Sequence, residues 1–256
     1  MLYRVLKLVF FIPIVGWILR PRLMYGERIP EQGAAIIAAN HISCGDTFSL
    51  PTLMKRQLRF AAKRELFEMR GLKALLGVFL RAIGQVPLDR SGGRQAANGL
   101  RPLLQVLAQG ELVGIFPEGT RSPDGRMYRS HTGVARLALL SGAPVIPVGM
   151  VNTQLRRWFI FPTMRQARIV VGRPLDFSRY ADRVDDVMVL RWVANEIARS
   201  IQALTGQSYV DLYGSRLKKG RLTQAQADSY IKAHPNEGVT SPDDIPILVG
   251  AGGLHL

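Results

Sequence analysis

Residues 34–46 read Ala-Ala-Ile-Ile-Ala-Ala-Asn-His-Ile-Ser-Cys-Gly-Asp. Six uncharged apolar residues ending at Asn40 are too few for an ordinary helix and lack the alternation of a half-buried strand. They predict a strand buried on both faces, the pattern of a parallel sheet. Ser43 and Gly45 suit a turn after it. A helix over 43–54, with Ser43 as its candidate N-cap, then completes the opening of a strand–helix–strand unit.

The same grammar repeats along the chain. Short apolar strands are predicted over 58–62, 85–88, 112–116 and 145–150, with a further one at 168–171. Helices are predicted over 66–82 with a break near Gly71, and over 95–109, 134–140 and 184–204. The last three are closed by Gly110, Gly142 and Gly206. Alternating strands and helices give an α/β fold with a mostly parallel central sheet flanked by helices. Functional groups then belong beyond the carboxyl ends of the strands.

The chain has 256 residues, 47% hydrophobic and 21% charged, which excludes a mostly disordered protein. Its formal net charge of +15 points to an anionic partner: nucleic acid, an acidic membrane surface or a phosphorylated substrate. A single cysteine, Cys44, excludes an intrachain disulfide and a cysteine-based zinc site.

Residues 1–22 carry Arg4, Lys7, Arg20 and Arg22 around the uncharged run Leu-Val-Phe-Phe-Ile-Pro-Ile-Val-Gly-Trp-Ile-Leu, residues 8–19. Twelve residues interrupted by Pro13 fall short of the ~20 needed to span a bilayer. A signal peptide lacks its small-residue cleavage site here, and a buried core helix is the plain reading. The preferred reading is a helical segment lying in the membrane interface, its arginines on anionic lipid. This divides the chain into a membrane-associating segment (1–24), a main domain (25–217) and a peripheral C-terminal tail (218–256).

Three stretches carry chemistry. His41 and Asp46 cannot share a helix face at a spacing of five. They meet only if His41 ends the strand and Asp46 opens the helix. The carboxylate then fixes one imidazole nitrogen and frees the other as a base. The spacing Ser43-x-x-Asp46 equally matches a capping box in which Asp46 only satisfies a helix end. Phe116-Pro117-Glu118-Gly119-Thr120-Arg121-Ser122 places a carboxylate, a flexible glycine, a hydroxyl and a guanidinium after a strand. Arg121 suits bidentate binding of phosphate. Arg90 and Arg94 flank Gly92-Gly93 after another strand. A Cys44–His41 nucleophile pair and a phosphate contact from His131 are weaker readings. From Arg126 to Leu175 there are eight arginines and no Lys, Asp or Glu, with Trp158, Phe159 and Phe161 among them. That composition suits a lipid interface, stacking on single-stranded nucleic acid, or a solvated basic face.

These residues resemble the glycerolipid acyltransferases that include 1-acylglycerol-3-phosphate O-acyltransferase. The family's N-H-x4-D block matches Asn40, His41 and Asp46, and its second block looks like Leu88-Asp89-Arg90. Its F-P-E-G-T-R-S block is present in full at 116–122, and its proline-containing block is similar to Ala143-Pro144-Val145-Ile146-Pro147-Val148. Order and spacing agree over 34–150. Where members often carry lysines ahead of the next helix, this chain has His131 and Thr132. The resemblance implies transfer of an acyl group from a thioester, acyl-CoA or acyl carrier protein, to a hydroxyl of lysophosphatidate or glycerol 3-phosphate. Phosphatidate would be the product, formed at the cytoplasmic face of the cell membrane. It implies no cofactor beyond the thioester co-substrate, no metal and no nucleic acid. His41 is the implied general base, oriented by Asp46. Lys63, Arg90, Glu118, Gly119, Thr120 and Arg121 are the implied substrate-binding residues.

Overall fold

A computed structural model describes residues 9, 12–14, 20–43, 45–69, 71, 74–82, 84–88, 99–154, 156–158, 161–163 and 167–244. The strands are β1 (Arg22–Met24), β2 (Ala35–Ala39), β3 (Leu58–Lys63), β4 (Val86–Leu88), β5 (Leu112–Ile115), β6 (Met127–Tyr128), β7 (Val145–Val151), β8 (Arg156–Trp158), β9 (Phe161–Thr163), β10 (Arg168–Val171), β11 (Tyr209–Val210) and β12 (Ile231–Lys232). Besides a single turn at Ile12–Ile14, the α-helices are α1 (Asp46–Leu53), α2 (Ala74–Ala82), α3 (Arg101–Ala108), α4 (Gly133–Ser141), α5 (Val187–Thr205), α6 (Gly214–Lys218) and α7 (Gln224–Asp228).

Seven strands form the central sheet in the order β1-β10-β7-β2-β5-β3-β4. Every neighbouring pair is parallel except β10 with β7. The exception has a simple cause. Helical crossovers return the chain in the same direction, whereas the β8–β9 hairpin between β7 and β10 lets it turn back directly. The apolar run 34–39 holds β2, at the middle of the sheet. Ile36 and Ala38 face α3, α4 and α5, whereas Ala35, Ile37 and Ala39 face Leu50 and Met54. Burial on both faces is the reason the run is apolar throughout.

Helix ends agree with their caps. Asp186 accepts from the N–H groups of Met188 and Val189 to open α5, and Gly206 at φ +67° closes it. α1 begins three residues after its candidate cap. Ser43 Oγ instead donates to the Thr153 carbonyl at 2.6 Å, and the Ser43 amide is taken by the Asp46 side chain.

Two strand pairings cross the limits drawn from the sequence. The sheet starts at Arg22, inside the stretch set apart as 1–24. The described part of the C-terminal stretch is docked, with β12 pairing with β11 and buried Asn236 donating to the Trp192 carbonyl of α5 at 3.0 Å. The apolar run 8–19 lies largely outside the described residues. Among the described residues no helix is long and apolar enough to cross a membrane. The side chains of the Arg-aromatic stretch around Trp158, Phe159 and Phe161 also lie outside them.

Candidate active site

Parallel neighbours align their carboxyl ends, so four strands deliver the singled-out residues to one edge of the sheet. β2 ends at Ala39 and passes into Asn40 and His41. β5 ends at Ile115 and passes into the turn at 116–122. β3 ends at Lys63, paired across to Leu88 of β4. The backbone thus places Lys63 on this edge, whereas its side chain, Cys44 and Arg90 lie outside the described residues.

At this edge His41 Nδ1 is 3.0 Å from Asp46 Oδ2. The same carboxylate oxygen accepts from the backbone N–H of Ile42 at 2.7 Å and of Ser43 at 2.8 Å. Asp46 is fully buried, and the His41 side chain is 15% exposed. The capping box does not form, since Gly45 precedes α1 with no side-chain cap; the carboxylate instead organises the turn ahead of the helix and holds the imidazole. A carboxylate only accepts, so the proton is assigned to Nδ1 and Nε2 carries the free lone pair.

The ring is set by stacking. His41 lies on Phe116 at 4.0 Å between centroids, and Phe116 lies on Phe60 at 5.1 Å. Gly114 makes room for this stack, because a Cβ there would sit 2.7 Å from the Phe60 ring. Behind it, Asn40 clamps β2 to β7. Its Oδ1 accepts from the Met150 N–H at 2.6 Å and its Nδ2 donates to the Met150 carbonyl at 3.1 Å. In the sequence Asn40 reads only as part of a block. Its position directly after the buried strand was the available signal for this clamp.

The turn at 116–122 is bolted to His41. The Ser122 N–H donates to the His41 carbonyl at 2.7 Å. Glu118, 3% exposed, accepts from the His41 N–H at 3.2 Å and the Tyr128 N–H at 3.0 Å. Burial pushes its carboxyl up to about 8, against the two amide bonds that favour its charged form. Both oxygens are spent on backbone groups, so Glu118 shapes the site by holding strand ends. Gly119 adopts φ +69°, and a Cβ there would lie 2.9 Å from the His131 ring. Glycine is required on both counts. Thr120 is half-buried and Arg121 is exposed, facing outward from the same turn. No group of three or more His, Cys, Asp or Glu able to hold a metal occurs among the described residues.

The family model described as Acyltransferase matches residues 20–151, which hold the whole of this constellation. The chain belongs to the Acyltransferase family. Among its relatives, the 1-acyl-sn-glycerol-3-phosphate acyltransferase of Bacillus subtilis is 26% identical over 156 residues, 60% of this chain and 73% of that protein. The Pseudomonas aeruginosa enzyme of that name is 34% identical over 123 residues, 48% of this chain and 46% of the relative. A chloroplastic enzyme of the same name from Arabidopsis thaliana is 29% identical over 161 residues, 60% of this chain and 43% of that protein. The chain thus spans about half the length of the chloroplastic relatives it matches, 43% of the Arabidopsis thaliana protein and 50% of one from Brassica napus. A crystal structure of the 1-acyl-sn-glycerophosphate acyltransferase from Thermotoga maritima is 29% identical, with 71% of this chain and 74% of that chain covered at a TM-score of 0.47.

Proposed function

We propose that the chain is a membrane-associated O-acyltransferase that moves a fatty acyl group from a thioester to a hydroxyl of 1-acylglycerol 3-phosphate. The observation that carries this is the His41–Asp46 pair at the carboxyl edge of the sheet, 3.0 Å apart and flanked by the turn that bears Arg121. A thioester is already activated, so the enzyme needs no nucleophile of its own. His41 Nε2 takes the proton of the acceptor hydroxyl as its oxygen attacks the thioester carbonyl. Asp46 stabilises the imidazolium so formed. The tetrahedral intermediate collapses, the C–S bond breaks, and the imidazolium returns the proton to the leaving thiolate. Arg121, with Arg90 and Lys63, binds the acceptor's phosphate, and Gly119 and Thr120 line its approach. The donor is acyl-CoA or acyl carrier protein, with no other cofactor.

Both acceptor and product are lipids, so the proposed place of action is a bilayer surface, on the cytoplasmic face that the family resemblance implies. The run 8–19 and the Arg-aromatic stretch supply the contact; Val9 and Ile12 of that run are exposed. Glycerol 3-phosphate or another lipid hydroxyl is the alternative acceptor within the same chemistry.

The test is to incubate purified protein with acyl-CoA and, separately, 1-acylglycerol 3-phosphate, glycerol 3-phosphate and no acceptor. Acceptor-dependent phosphatidate formation, abolished in His41→Ala, is expected. Equal thioester cleavage with and without acceptor would make the protein a hydrolase and overturn the reading.

A further inference from the structure

The family match ends at residue 151, yet the chain beyond it returns to the candidate site. β11 runs parallel to β6, with Tyr209 opposite Met127 and Val210 opposite Tyr128. The Arg129 N–H donates to the Leu212 carbonyl at 3.0 Å. Tyr213 stacks on His131 with centroids 4.6 Å apart, and Arg191 Nη2 donates to its hydroxyl at 2.9 Å. Gly214 is buried against Tyr128, where a Cβ would lie 3.2 Å from the ring. Tyr128 is the residue whose amide Glu118 accepts. The catalytic turn therefore fixes β6, β6 fixes β11, and β11 sets the direction of α6.

The last residue of α6 is Lys218, and its Nζ donates to Thr120 Oγ1 at 3.3 Å, across 98 residues of sequence. The partner is a neutral hydroxyl in the catalytic turn. Lys218 and the adjoining Arg121 are both exposed, and no acidic residue occurs from 212 to 227. An ammonium has three donors, and one is used here. A cation from a separate element thus meets a hydroxyl of the turn that also carries Arg121, two residues before the Ser122–His41 contact.

We propose that Lys218 belongs to the acceptor's phosphate site, where it joins Arg121 and the Thr120 hydroxyl on a phosphate monoester. The proposal rests on the acyltransferase reading above. A coenzyme A donor also carries a phosphate monoester. The acceptor is the better fit, because its hydroxyl must reach His41 while its phosphate, a short glycerol backbone away, falls on the turn tied to His41.

Initial rates of the full chain, with each substrate varied in turn, test this in Lys218→Met, Lys218→Arg and Lys219→Met. An exposed, charge-assisted contact predicts that Lys218→Met raises the acceptor KM about threefold to tenfold. The donor KM and kcat should stay within about twofold. Lys218→Arg should recover most of the loss, and Lys219→Met should match wild type. A rise in donor KM alone would assign the lysine to the donor, and unchanged KM values for both substrates would leave it no role; either overturns the proposal. Calorimetric binding of glycerol 3-phosphate, which needs no turnover, separates this failure from that of the functional reading. Wild-type protein that binds it three to ten times more tightly than Lys218→Met, yet transfers no acyl group, would keep the phosphate site and overturn the activity. Equal binding by both would overturn the site.

Discussion

Asp46→Asn isolates the charge of the dyad from its geometry. Asp46 Oδ2 accepts from His41 Nδ1 and from two backbone N–H groups, at 3.0, 2.7 and 2.8 Å. An asparagine at this position must turn its oxygen toward those two amides, since an NH2 there would face two donors. The Nδ1–H tautomer of His41 is therefore kept, and the amide NH2 goes to the site of Oδ1, which is buried without a partner among the described residues. The missing charge is what changes at the moment His41 becomes an imidazolium. Two unit charges 3.0 Å apart interact by about 5 kcal/mol at an effective dielectric near 20. The amide dipole retains part of this, so the loss is about 3–4 kcal/mol, roughly 10²–10³-fold in kcat. Stability should fall by about 1–3 kcal/mol from the buried unpaired amide. The assay is phosphatidate formation at saturating substrates, alongside thermal unfolding of the same preparation. A folded Asp46→Asn with kcat within threefold of wild type would show that the carboxylate only orders the turn.

Three further outcomes are expected. Glu118 binds its proton more tightly folded than unfolded, about 8 against 4.5, so its contribution to stability is complete below pH 4.5 and is lost as pH rises through about 8. Relative to Glu118→Gln, wild type should gain denaturant resistance on acidification across this window, up to on the order of 5 kcal/mol; parallel curves for the two proteins from pH 5 to 9 would contradict the buried carboxyl. Gly119→Ala should cost about 2–3 kcal/mol, from a left-handed φ of +69° and a Cβ 2.9 Å from His131, measured as a lowered denaturant midpoint; an unchanged midpoint counts against the turn geometry. Sedimentation with anionic liposomes should show binding that weakens in high salt without vanishing, and that falls on deletion of residues 1–20; complete release by salt alone would remove apolar insertion from the account.

Much of this protein was legible in the linear chain, because its signals are local. The run 35–39 is apolar at every position since β2 is buried on both faces, and a sequence reports that directly. Gly142 and Gly206 mark helix ends because left-handed backbone favours glycine. The five-residue spacing of His41 and Asp46 excluded a shared helix face and so implied the turn that brings them together. Short spacing also made the block 116–122 readable as a unit. What stayed hidden depends on partners distant in the chain. Strands of two or three residues, such as β1, β6, β11 and β12, have no periodicity of their own and exist only because a neighbour supplies hydrogen bonds. The antiparallel entry of β10 follows from a hairpin whose pairing no local pattern announces. Glu118 reads as a substrate ligand when seen beside Arg121, and only the packing shows its oxygens turned inward onto His41 and Tyr128. Lys218 opens the stretch that the sequence sets apart as a peripheral tail. Tertiary structure decided its place beside Thr120, because side-chain chemistry specifies what a residue can bind, whereas the path of the backbone determines what it meets.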